Sequence, residues 1–262
     1  MMSNDQFYLR LPSNSSLENY PLNTLAEYIT QLPRPIQLDG EWEVALVEIQ
    51  YPRTWNNVRD DRSQPWLYIR PASGKPWNAE KVPYGFYTDV DALITNINQA
   101  IAKQGQEAKD NIKLSFDHLS GKVTVEIKSD AELAFGSDIA TVLGFDMVVD
   151  GTVDITIIKK TTISPRVADV NAGIYSLFVY TDIIQAQLVG DTEVCLIRLV
   201  PVEGKHGDMV TRTFRNSQYL PISKKQFSTI EVNIKTDTGE KVPFESGKVI
   251  TTLHFRRSSY LP

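Results

Sequence analysis

The stretch Ile230-Glu231-Val232-Asn233-Ile234-Lys235 alternates apolar and polar side chains without a break. Successive side chains on a strand point to opposite faces. Ile230, Val232 and Ile234 therefore share one face, and Glu231, Asn233 and Lys235 the other, as in a half-buried antiparallel strand. Asp237-Thr238-Gly239 ends the run with turn residues.

The same period recurs outward from this stretch. Val249, Thr251, Leu253 and Phe255 form one face of a further strand. Ile112, Leu114 and Phe116 match Val123, Val125 and Ile127 across Asp117-His118-Leu119-Ser120-Gly121, which predicts a hairpin with a five-residue loop. Val153, Ile155 and Ile157 alternate with Asp154 and Thr156. Residues 41–51 begin with Trp42, Val44 and Leu46 on one side, then place Ala45, Val47 and Ile49 on the other. That segment, 174–180 and 194–202 read as strands covered on both faces. About eleven strand candidates separated by turn signals predict an all-β sandwich or barrel.

One amphipathic helix interrupts them. Val90, Leu93, Ile94, Ile97 and Ile101 fall on one stripe, with Thr88 and Asp91 expected to cap its start and Gly105 its end. A shorter helix is expected from Ser137 to Leu143, ending at Gly144-Phe145. The formal net charge of −5 is uneven: residues 88–160 carry −5 and residues 161–262 carry +2. The acidic stretch coincides with the helix and hairpin. The expected organisation is a discontinuous sandwich, 1–80 and 151–262, with a helix-plus-hairpin insert at 81–150.

Reaction motifs are missing. Ser-Gly-Lys occurs at residues 73–75, 120–122 and 246–248, but none has the second glycine or the following Ser or Thr of a phosphate loop. All three read as turns leading into strands. Asp117-His118 lies in a loop, where adjacent side chains point apart. Asp60-Asp61 between Arg59 and Arg62 reads as a solvated charge cluster, and His254 as a surface or satisfied strand histidine. Cys195, the one cysteine, sits in an apolar strand pattern and excludes an internal disulfide. One Cys and three scattered His argue against zinc. Arg212, Arg215, Lys224, Lys225, Arg256 and Arg257 are interspersed with acidic residues, unlike a clustered nucleic-acid face. No apolar run approaches a membrane span, and Met1-Met2-Ser3-Asn4-Asp5 has no secretory pattern, so an intracellular product is expected. Among the tryptophans of the Pro-rich first third, Trp55, Trp66 and Trp77 are expected to be core plugs more than interface anchors.

Three segments carry a resemblance. They are Gly40-Glu41-Trp42-Glu43-Val44-Ala45-Leu46-Val47-Glu48-Ile49, then Tyr87-Thr88 before the helix with Val142-Leu143-Gly144-Phe145 after it, and Val242-Pro243-Phe244-Glu245-Ser246-Gly247-Lys248-Val249-Ile250-Thr251-Thr252-Leu253-His254-Phe255. Together they resemble capsid proteins of Polinton (Maverick) elements and virophage-like viruses, over about residues 7–257. Such elements carry a double jelly-roll major capsid protein and a single jelly-roll minor one that forms vertex pentamers. At 262 residues, one sandwich with an insert fits and two jelly rolls do not. The resemblance thus implies a penton-type minor capsid protein: a single jelly-roll β-sandwich with a small insertion. It implies a homopentamer in the virion, partnered by the major capsid protein, with no membrane or specific nucleic acid. It implies no enzyme activity, and neither catalytic, cofactor-binding nor metal residues. The second reading of the residues is a ligand- or glycan-binding β-sandwich used for attachment, motivated by Trp55 and Trp77.

Overall fold

A computed structural model describes residues 5–59, 66–145, 155–171 and 174–258. It divides into two compact units, one made of Met1–Trp55 with Ile174–Pro262, the other of Asn56–Gly173. The first unit opens with β1 (Gln6–Pro12), β2 (Glu27–Gln37) and β3 (Trp42–Pro52). The second contains β4 (Trp66–Arg70), β5 (Asn78–Lys81), α1 (Val90–Lys103), α2 (Gln106–Asn111), β6 (Ile112–Asp117), β7 (Lys122–Ile127), β8 (Glu132–Gly136), α3 (Ser137–Val142), β9 (Ile155–Ile158) and β10 (Thr162–Ile163). The first unit resumes with β11 (Ser176–Thr181), β12 (Gln187–Val189), β13 (Thr192–Val194), β14 (Leu196–Pro201), β15 (Met209–Thr213), β16 (Leu220–Pro221), β17 (Gln226–Lys235) and β18 (Ile250–Arg257).

The first unit is a sandwich. One sheet has the order β1-β18-β3-β15, with β16 also on β3, and the other the order β14-β11-β17-β2. Taken in chain order, and setting aside the short β12, β13 and β16, the first strand pairs with the eighth and the second with the seventh. The third pairs with the sixth and the fourth with the fifth, all antiparallel. That is a long antiparallel ribbon rolled up on itself, the wiring of a jelly roll. Val44, Leu46, Ile49, Leu253 and Phe255 from one sheet meet Tyr28, Val179, Ile230, Val232 and Ile234 from the other in one buried core. The Tyr28 hydroxyl ties the layers together: it donates to the Leu11 carbonyl oxygen at 3.2 Å or to Thr251 Oγ1 at 3.1 Å. Burial pushes its ionisation well above the ordinary tyrosine range, so the tie stays neutral.

A β-bulge breaks the alternation in β3. Thr252 pairs with Glu48 and Leu253 with Leu46, which leaves Val47 bulged. A bulge shifts the side-chain phase by one. Val44 and Leu46 before it, and Ile49 and Tyr51 after it, therefore all reach the same core. Ala45 is buried on the opposite face, so coverage of both faces holds here only in part. The strand expected over 194–202 is also broken, at Cys195, whose carbonyl accepts from Thr181 N–H at 3.1 Å. Cys195 is half-buried and packs at the edge of the core.

The second unit has sheets β10-β7-β6 and β5-β4-β8-β9 around its own core. Helix α1 buries Val90, Leu93, Ile94, Ile97, Ala100 and Ile101, the expected stripe. Its cap is Asp89, not Thr88: the Asp89 carboxylate accepts from Ala92 N–H at 2.8 Å, and Thr88 Oγ1 donates to Asp89 Oδ2. Those two bonds hold the Asp89 carboxyl below its ordinary range. The β6–β7 hairpin is as predicted except that Asp117 pairs with Lys122, which shortens the loop by one residue. The division between units differs from the expected boundaries at 80/81 and 150/151. β4 pairs with β5 and β8, and β10 with β7. These long-range pairings draw segments on both sides of 81–150 into the middle unit, and nothing local marks them. Of the Val153–Ile157 alternation, residues 155–158 form β9 and Val153 lies outside the described residues.

Candidate functional site

The residues singled out above do not converge. Asp117 accepts from Leu119 N–H and Ser120 Oγ in its own loop, while His118 Nε2 lies 3.3 Å from Asp91 on α1. His118 and Asp91 are both more than half exposed. Gly74, Gly121 and Gly247 of the three Ser-Gly-Lys segments have φ of +77°, +67° and +105°. That is turn backbone that glycine adopts without strain. Asp60, Asp61 and Arg62 lie outside the described residues. Among the described residues, no group of three or more His, Cys, Asp or Glu is placed to hold a metal ion. No helix there is long and apolar enough to cross a membrane.

The basic residues of the last third are largely partnered. Arg212 lies 2.7 Å from Glu203, Lys224 2.5 Å from Asp182, and Lys225 3.5 Å from Glu41. Arg256 lies 2.5 Å from Glu43 and Arg257 3.8 Å from Asp5. Such pairing neutralises the field a phosphate backbone would need.

Three features stand out instead. The first is a polar cluster on the outer face of the β1-β18-β3-β15 sheet. His254 is only 6% exposed. Its Nδ1 shares a 2.6 Å hydrogen bond with the Tyr219 hydroxyl, and its ring stacks on Tyr8 at 4.2 Å. Arg256 covers the Tyr219 ring at 3.4 Å and is paired with Glu43. His254 Nε2 and Thr252 Oγ1, two positions apart on the same face, are buried with no hydrogen-bond partner. Burial, and next the Arg256 charge, lower the His254 pKa, so the imidazole is neutral at neutral pH.

The second is the open edge of the sandwich, where β1 and β2 end their sheets. Phe227 pairs with Ile36 and Thr229 with Gln31, so Leu32-Pro33-Arg34-Pro35 bulges out of β2. Proline donates nothing to a ladder, so two of them blunt this edge against pairing. Gln31 Nε2 compensates by donating to the Ser228 carbonyl at 3.0 Å. The bulge leaves a groove of about 470 Å³ lined by Phe7, Leu9, Leu32, Pro33, Arg34 and Ile36. Inward-facing apolar side chains are thereby open to solvent.

The third is the outer face of the β5-β4-β8-β9 sheet, with a hollow of about 190 Å³ lined by Tyr68, Trp77, Ala134 and Ile157. Trp77 is 39% exposed, whereas Trp55 is buried at 4% and packs edge-on against Phe244. Trp55 is thus a core plug, and Trp77 is not. The sequence reading singles out Trp77 and His254 but not the residues that gather around them, and it does not single out the β1/β2 groove.

No family model matches the sequence, and no curated protein matches it. Among solved structures, the mavirus penton protein superposes with a TM-score of 0.50 at 13% identity, over 96% of this chain and 99% of that one. The D2-D3 domains of the flagellar cap protein FliD from Escherichia coli give a TM-score of 0.20 at 11% identity, over 88% and 98%, which carries no argument. The chain thus shares a mostly β fold with that penton protein along nearly its whole length.

Proposed function

We infer that this chain is a minor capsid subunit of the penton type, which forms a homopentamer at capsid vertices among double jelly-roll major capsid proteins. The observation that carries the reading is the likeness in fold to the mavirus penton protein over 96% of the chain. A vertex ring joins two unlike surfaces of each subunit, related by a rotation that closes. It needs rigid sheets and apolar surface to bury, and it needs no titratable pair. The rolled sandwich supplies the rigidity. The open β1/β2 edge, with the partly buried Phe7, Leu9 and Ile36, is apolar surface of the kind that assembly covers. On this reading the chain is a structural protein of the virion and not an enzyme.

Native mass measurement across a dilution series tests the oligomer. The expected species is a pentamer, and co-expression with a double jelly-roll major capsid protein should place the chain in closed shells. A persistent monomer that no shell takes up would overturn the reading.

A further inference from the structure

The sheet β5-β4-β8-β9 buries one face in the core of the middle unit, through Leu67, Ile69, Leu133, Phe135 and Ile158. Strand pairing aligns the residues of its other face in rows. One row runs Ala79, Tyr68, Ala134, Ile157. Two alanines in that row leave space beside the tyrosine, and the hollow of about 190 Å³ opens there, with Trp77 as a further wall.

A charged row adjoins it. Arg70 pairs with Glu132 in register, and Arg70 Nη2 lies 2.5 Å from Glu132 Oε1. Lys159 Nζ lies 3.6 Å from the same oxygen. Two cations share one carboxylate, so the row keeps a net positive charge. The Arg70 guanidinium sits 5.3 Å from the centre of the Trp77 ring, and its Nε is buried without a hydrogen-bond partner. The Lys159 side chain is 67% exposed.

Each part narrows the occupant. At about 190 Å³ the hollow lies below the usual range of small-molecule pockets, about 300–1,000 Å³, so it takes one small ring and no protein segment. Aromatic walls beside hydrogen-bonding side chains suit a small ring with one apolar face and a polar rim. A pyranose has that form: its axial C–H bonds make the apolar face and its hydroxyls the rim. The excess cation adds a place for a carboxylate, which Arg and Lys recognise by charge-assisted hydrogen bonds. The geometry points to a carbohydrate site for a hexuronate residue, its ring against Tyr68 and Trp77 and its carboxylate toward Arg70 and Lys159. The site stands whether or not the chain forms pentamers.

Saturation-transfer NMR on the full chain tests it, with methyl β-glucuronide and methyl β-glucoside as probes. Saturation of the glucuronide ring protons is expected, with the glucoside bound about tenfold more weakly or not at all. Trp77→Ala should abolish the glucuronide signal, and Lys159→Gln should weaken it severalfold. If Trp77→Ala lowers the melting midpoint, Lys159→Gln at its exposed position decides alone. Equal binding of the two sugars, binding of neither, or a glucuronide signal that survives both substitutions overturns the proposal.

Discussion

At the scale of single residues, His254 has the clearest consequence for pH. Burial and the Arg256 charge lower its pKa in the folded chain from an ordinary value of 6.5. The unfolded chain therefore binds the proton more tightly. Stability is full above that ordinary value and is lost progressively as pH falls from it toward the lower folded value. The thermal midpoint should accordingly drop as pH falls below about 6.5. His254→Gln should flatten part of that slope in paired melting scans. An identical slope in the variant would assign the acid sensitivity to other groups. Little of this was legible beforehand. His254 alternates between Leu253 and Phe255 and reads as a surface or satisfied histidine, but it is buried and its Nε2 has no hydrogen-bond partner. What buries it comes from Tyr8 and Tyr219, distant in sequence and aligned only by sheet register.

At the scale of elements, α3 shows how one backbone position can anchor a junction. Gly144 has φ +79° and closes the helix: its N–H bonds Thr141 O at 3.0 Å and Phe145 N–H bonds Ala140 O at 2.8 Å. This is the Schellman pattern. The Gly144 carbonyl in turn accepts from Arg166 N–H at 3.0 Å, and a Cβ here would overlap the Arg166 carbonyl oxygen. Gly144→Ala meets both the left-handed penalty of about 1–2 kcal/mol and a backbone collision. A loss of at least about 2 kcal/mol is therefore expected, read as a lower urea midpoint with unchanged slope. This junction was legible because a Gly-Phe pair after an apolar run is a local signal. So were α1 and β17, whose stripes repeat over many residues. The N-cap fell one residue off because Thr88 and Asp89 are both capping types and only geometry separates them. The bulge at Val47 and the long-range partners of β4 were not legible, since both are set by which strand lies alongside. The same holds for the hollow at Trp77: its alanine floor comes from β8, Tyr68 from β4 and Trp77 from the chain just before β5.

At the scale of the whole molecule, the two units differ in how far apart their contacts lie along the chain. The core of the middle unit is built from one uninterrupted stretch, with α1 beside β6 and β6 beside β7. The sandwich needs Gln6 to meet Arg256 and Tyr28 to meet Val232. Contacts between distant residues form late, because a long loop must close first. Pulsed hydrogen exchange during refolding should protect amides of α1, β6 and β7 before those of β1 and β18. Simultaneous protection would show that the two units fold as one. The rolled ribbon has a further consequence for synthesis on the ribosome. β1 is made among the first strands and waits, unpaired, until β18 has emerged. A product truncated before β18 leaves β1 and β3 without the strand between them. β1 then has no partner and its edge of the sheet cannot form, while β3 still pairs with β15. The topology thus acts as a completeness check, withholding the β1 edge from any copy whose translation stopped short.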